Sequence, residues 1–332
     1  MNIVGEVGER FDCFGSSCAA LVTGAGREGS ARDAVELVRR RLESWHASFS
    51  RFAPDSELTR LNDDPRRSVP VSALMARLAQ SVRLAASQTD GLVDATLVEP
   101  IERAGYATDL GEPLPLALAL ALELAPPRKR ASGHSSRAWR SIESDVARGL
   151  VSRPPGVKLD SGGLAKGLFA DVLAERLASH ASFAIDCAGD LSIGGSAAAP
   201  RAIDVESPFD GRTLHTFHLR RTGVATSGIG RRSWLDADGR PAHHLLDPST
   251  GTPAFTGIVQ VTAFAPSALT AEIRAKAALL SGPSRARGWL PGGGVIVFDD
   301  GSHEVIEPPG EVALSELSGY AHGARTHALH DG

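Results

Sequence analysis

Residues 156–171 read GVKLDSGGLAKGLFAD. The stretch spells a short apolar strand, a glycine pair and then a helix. Val157 and Leu159 are strand-like, and Gly162-Gly163 permits a tight turn and a close backbone approach. Leu164, Leu168, Val172, Leu173 and Leu177 then recur at helical spacing. One carboxylate, Asp160, and one ammonium, Lys166, sit at the junction. A helix start offers free N–H groups and a positive dipole end, which suit a phosphate, and Lys166 adds a compact point charge. An ordinary strand–turn–helix with a solvated lysine explains the same residues equally well. The stretch is neither G-x-G-x-x-G nor G-x-x-x-x-G-K-[ST], the two standard glycine fingerprints for phosphate.

Upstream, residues 11–23 read as a first strand. Residues 30–47 read as a helix capped by Ser30, with Val35, Val38, Leu42 and Trp45 on one face. FSRFAPDSELTRLN (49–62) is an extended piece, a turn and a short helix over 57–61 capped by Asp55 or Ser56 and ended by Asn62. Residues 70–89 form a helix that Asp90-Gly91 breaks. The Leu114–Leu122 run is too short to span a bilayer and reads as a core helix. PPRKRASGHSSR (126–137) reads as an exposed loop, and 139–146 as a strand pair. Downstream come a hairpin over 182–195, paired strands over 201–206 and 214–219, a strand over 257–265, a helix over 267–280 capped by Ser267, and a strand over 294–299. Helices and hairpins are mixed without strict βα alternation, so the expected class is α+β (mixed α/β). The expected organisation is one domain over 11–303 and a flexible tail over 304–332.

The chain has 332 residues, 42% hydrophobic and 22% charged, which are globular values. A net charge of −4 and only 5% aromatic residues argue against a dedicated nucleic-acid binder. Three irregularly spaced cysteines, Cys13, Cys18 and Cys187, make neither a disulfide framework nor a zinc site. The amino-terminal stretch is acidic without an apolar run, unlike a signal peptide, so the expected location is cytoplasmic, with no membrane insertion.

Four segments place polar groups where apolar ones would be cheaper: Asp90–Thr96, Asp160–Lys166, Ala225–Ser227 with His243–Thr250, and Glu272–Lys276. A buried charge must be paired or bound to something. Carboxylates for a metal, a lysine at a helix start for phosphate and a histidine for proton transfer together suit phosphoryl or nucleotidyl transfer on a nucleotide. There is no G-x-S-x-G elbow and no H-E-x-x-H, which disfavours a serine hydrolase and a zincin.

In this order the motifs resemble those of the FAD:protein FMN transferases, the ApbE-like flavin transferase family, over about residues 11–301. Phe14-Gly15-Ser16 is similar to the family's M-G-T. SRFAPDSELTRLN (50–62), DGLVDATLVEP (90–100), LDSGGLAKGLFAD (159–171), DCAGDLSIGG (186–195) and VATSG (224–228) with HHLLDPSTGTP (243–253) resemble its further motifs. The resemblance implies an ApbE-like fold with mixed sheets and an FAD cleft between sub-domains. It implies an enzyme that splits FAD at its pyrophosphate, joins FMN by a phosphoester to a Thr or Ser hydroxyl of an acceptor flavoprotein, and releases AMP with magnesium. Carried over, Phe14, Phe52, Leu92, Val93, Asp94, Asp160, Lys166, Thr226 and His243 would bind FAD. His244, Lys166 and Asp247 would be catalytic, and the Gly163 carbonyl and Glu272 would hold the metal.

One segment departs. Where the family has A-D-x-x-[ST]-T, this chain has Ala271-Glu272-Ile273-Arg274-Ala275-Lys276. Glu for Asp keeps a hard oxygen ligand, but an ammonium has no lone pair to give. Lys276 would pair with Glu272 one turn away and set its charge against the pyrophosphate, or the chain would bind FAD without transferring it. FAD pyrophosphatase is a third reading. The chain carries no D-x-x-[ST]-G-A target motif, so self-modification is not expected.

Overall fold

The computed structural model describes residues 5–108 and 116–310. Its frame is an eight-stranded sheet whose strands lie side by side in sequence order. They are β1 (Glu6–Cys13), β2 (Ser16–Thr23), β3 (Ser182–Cys187), β4 (Asp190–Gly194), β5 (Thr222–Gly228), β6 (Ile258–Ala265), β7 (Gly294–Phe298) and β8 (His303–Ile306). Every pairing in it is antiparallel, as are those of the small sheets around it. The α+β class holds, and the mixed sheets expected with it resolve into antiparallel ones.

Five helices position the rest: α1 (Ala31–Phe49), α2 (Glu57–Asp63), α3 (Ala73–Gln88), α4 (Ala165–Leu177) and α5 (Ala268–Ser281). Side-chain oxygens at Ser30, Ser56, Ser72 and Ser267 accept N–H groups of their first turns, which sets where each helix begins. Helix α1 packs on β1 and β2, α4 on β3 and β4, and α5 on β5 and β6. Alternation along the strands separates the faces. Ala225 and Ala265 meet Ala271 of α5. On the opposite face Phe264 meets Phe217 edge-on, with centroids 4.7 Å apart, beneath a hairpin of residues 201–206 and 213–219. The apolar interior forms two principal cores. One is built around α1, α3 and α4, the other around α5 with β5, β6 and β7.

Several local expectations shift. Residues 11–23 are not one strand but part of a β1–β2 hairpin, reversing at Phe14 and Gly15, both with positive φ, 58° and 64°. That is the geometry of a two-residue turn whose twist matches its strands. Val157–Leu159 is not a strand. Its backbone is held instead by the Asn62 side chain, whose Nδ2 donates to Leu159 O at 2.9 Å and whose Oδ1 accepts Leu159 N–H at 2.8 Å. Residues 138–141 are a 3-10 turn, and 143–145 is a strand pairing with 150–152. Of the Leu-rich run, residues 114 and 115 lie outside the described residues; Leu118–Glu123 is a short surface helix that buries only Leu118 and Ala121. The ordered sheet continues through β8, so the boundary expected at 303/304 falls inside a strand; residues 311–332 lie outside the described residues.

Candidate active site

Helices α4 and α5 cross antiparallel at Gly167. A Cβ there would stand 2.8 Å from Leu269 Cα and 2.9 Å from the Ala268 carbonyl carbon, so only glycine permits the approach. The crossing is stitched from both sides. Asp171 of α4 accepts Ala268 N–H at 2.7 Å and Leu269 N–H at 3.0 Å, at the start of α5. Glu272 of α5 accepts Gly167 N–H at 3.0 Å, in the first turn of α4. Each carboxylate sits at the positive end of the other helix. The α4 start, expected from sequence to be open to a phosphate, is therefore partly filled by the protein's own carboxylate.

The remaining oxygen of Glu272 takes Lys276 Nζ at 2.8 Å. Nearby, Lys166 Nζ lies 2.7 Å from Asp190 Oδ2. Glu272 and Asp190 are 0% and 1% exposed. Burial, then the Asp190 charge, push the Glu272 carboxyl up to about 7, against the pull of Lys276 and Lys166. Burial works against the Lys166 charge, but Asp190 and Glu272 outweigh it and hold its pKa above the ordinary value.

Both lysines open onto a cavity of about 350 Å³ where the cores meet, within the size range of small-molecule sites. Phe14, Phe52, Leu92, Val93 and Asp94 line it, as do Asp160, Gly163, Lys166 and His244. The sequence motifs thus converge on one place, and backbone ties explain how. Asp160 N–H donates to Ala95 O at 2.8 Å, Ser161 Oγ to Phe49 O at 2.7 Å, and Arg232 to Phe14 O at 2.9 Å. Asp94 Oδ1 accepts from Thr96 N and Oγ1, and burial raises its pKa.

Four expected site residues do not line the cavity. Thr226 is on the sheet face opposite α5, where its hydroxyl meets Thr262 at 2.9 Å; the two-residue period puts Ala225 and Ser227, not Thr226, on the helix side. His243 is buried beside the cavity with its ring against Phe255, 4.9 Å between centroids. Asp247 spends Oδ1 on Ser132 N, Ser249 N and Ser249 Oγ and holds a turn. Glu272 lies behind Lys276. As metal ligands, Gly163 and Glu272 are not matched by a free donor set: both Glu272 oxygens are engaged, and among the described residues no three His, Cys, Asp or Glu side chains cluster in a way that could hold a metal ion. These residues do not fit the implied magnesium.

Arg51, Tyr106, Arg231 and Arg232 also line the cavity and Asp190 backs Lys166, none of them singled out by the sequence motifs. The Arg51 guanidinium lies over Phe52 and Tyr106, 4.2 and 4.6 Å from the ring centroids, with its Nε 3.7 Å from Asp160. Arg51 adjoins Phe52 within the 50–62 motif, and Asp190 opens the strand that follows the Ala188-Gly189 bend, so their neighbours are the available signal. Arg51, Lys166, Arg231, Arg232 and Lys276 outnumber the lining carboxylates Asp94 and Asp160. His244 stays neutral: burial, then Arg232, push its pKa well below the ordinary value, and its buried Nδ1 has no hydrogen-bond partner within the protein.

The α+β scaffold thus holds a cationic, aromatic-walled cavity between two cores, a lining that suits an anionic, ring-bearing small molecule. The ApbE family model matches residues 14–296, and the chain belongs to that family. It is 24% identical over 292 residues to the FAD:protein FMN transferase of Escherichia coli K12, covering 86% of this chain and 81% of that one. It is 27% identical over 280 residues to the FAD:protein FMN transferase of Salmonella typhimurium, covering 81% and 77%. Among solved structures, the ApbE protein of Thermotoga maritima superposes with a TM-score of 0.72 at 24% identity, over 91% of this chain and 97% of that one. The flavin transferase ApbE of Vibrio cholerae gives 0.67 at 19%, with the same coverage. At these identities the structural likeness is one of fold. Among the described residues no helix is long and apolar enough to cross a membrane.

Proposed function

We propose that this chain is an FAD:protein FMN transferase. The observation that carries the reading is the convergence of family-like motifs, spread along the chain from Phe14 to His244, on one cationic cavity. The apolar and aromatic wall of Phe14, Phe52, Leu92 and Val93 suits flat rings, and Lys166, Lys276 and Arg232 suit a pyrophosphate.

In this reading a Thr or Ser hydroxyl of the acceptor protein attacks the phosphorus on the FMN side. A new P–O bond forms, the bond to the bridging oxygen breaks, and AMP leaves. Lys166 and Lys276 stabilise the charge that gathers on the phosphoryl oxygens. His244 receives the hydroxyl proton. Its pKa is depressed partly by Arg232 and Lys276; a bound pyrophosphate offsets those charges and raises its basicity when substrate is present. Side chains supply the charge neutralisation, because both oxygens of Glu272 are already engaged and the donor set does not suit magnesium.

The reading is tested by chromatography of the nucleotides formed from FAD with and without an acceptor flavoprotein. AMP that forms only with acceptor, with no free FMN, is the expected result. AMP and free FMN without acceptor would replace transfer by hydrolysis.

A further inference from the structure

We infer that Lys276 is the resident cation of this cavity and that FAD binding and transfer proceed without a divalent metal. The inference rests on the transferase reading for its substrate and goes beyond it in naming what neutralises the pyrophosphate. Three observations carry it. Lys276 is only 8% exposed, yet it lines the cavity, where burying a charge is unfavourable unless it is matched. Glu272 matches it at 2.8 Å, and the other Glu272 oxygen is fixed by Gly167 N–H. The carboxylate that a metal would need is thus consumed on both sides. An ammonium has three donors and no acceptor; Glu272 takes one, and the ligand can meet the others. Asp190 is likewise given over to Lys166. The two lysines arrive from two helices locked at Gly167, so two fixed positive charges face the cavity before any ligand enters it.

The full-length protein with FAD provides the test. Flavin fluorescence gives FAD affinity in EDTA and in millimolar magnesium, and electron paramagnetic resonance follows Mn2+ added to the protein–FAD complex. FAD affinity is expected to change less than about twofold on adding EDTA, with no Mn2+ immobilised by the protein, and Lys276→Met is expected to weaken FAD by roughly tenfold or more. Lys276→Met leaves Glu272 buried and unpaired, so Glu272→Gln with Lys276→Met is measured beside it; the same loss in the double variant traces the effect to the ammonium rather than to a disturbed fold. Stoichiometric Mn2+ on the protein, FAD binding that collapses in EDTA, or unchanged FAD affinity in both variants would each overturn the inference. Transfer separates the two readings. If EDTA abolishes transfer and magnesium restores it, the Lys276 assignment fails and the transferase stands. If no acceptor is modified while the binding results hold, the transferase reading fails and the resident cation stands.

Discussion

Lys166 and Lys276 reach one cavity from different helices, each against a carboxylate withdrawn from solvent. Removing one partner of such a pair leaves an uncompensated buried charge, so the four groups stand or fall together. His244 is different: it lines the cavity and has a buried Nδ1 without a protein partner, so its loss should spare the fold. His244→Ala is expected to lower the turnover of FMN transfer by about 100-fold or more while the FAD dissociation constant changes little. Steady-state kinetics beside fluorescence binding checks this, and an unchanged turnover would remove His244 from the proton's path. At this scale the sequence was informative where a residue's type forces its chemistry. Asp94, Asp160, Lys166 and His244, all candidates from the sequence, line the cavity. Thr226 and Asp247 do not line it, since a residue's type does not say whether its hydroxyl or carboxylate faces a ligand, a neighbouring strand or its own turn.

The crossing of α4 and α5 is the element that sets the site. Its close approach depends on Gly167, and its polar groups are exchanged between the helices: Asp171 closes the start of α5 while Glu272 closes that of α4. Burial pushes the Asp171 carboxyl up to about 6, partly opposed by those backbone donors. Asp171→Ala leaves two N–H groups without their acceptor and is expected to cost about 1–3 kcal/mol, seen as a lower urea midpoint, and to weaken FAD binding because Lys276 sits on the helix so released. Most helices were legible, since Ser30 and Ser267 announce their starts and apolar residues recur at the right spacing. The exchange of caps was not legible. It joins residues about a hundred apart, and nothing in Glu272 or Asp171 names the N–H it will accept. Asn62 carries the same lesson: read as a helix stop, it holds Leu159 with both ends of its amide in place of a strand.

Across the whole molecule, the sheet follows chain order, but of its hairpins only the one over 182–195 is legible in the sequence; the cavity arises only when the two cores close on each other. That closure buries ionisable groups of opposite pH behaviour. Burial pushes the His243 imidazole down to about 3, so its contribution to stability is complete above its unfolded pKa of about 6.5 and is lost as pH falls toward 3. Asp171 and Glu272, raised to about 6 and about 7, run the other way: their contributions are complete at low pH and are lost as pH rises through those values. His243→Phe, which keeps a ring beside Phe255, isolates the first effect. Between pH 6.5 and 5, urea unfolding of the wild type should lose up to about 2 kcal/mol more than that of the variant; parallel profiles would show that His243 is not held neutral.

The central claim is that the cavity transfers FMN from FAD to a protein hydroxyl. The most direct measurement is the intact mass of a purified acceptor flavoprotein after incubation with this protein and FAD, with EDTA and with magnesium. The account predicts a gain of one FMN in both, lost when the acceptor Thr or Ser is replaced by Ala. An acceptor whose mass never changes, although FAD is bound by the protein, would contradict it.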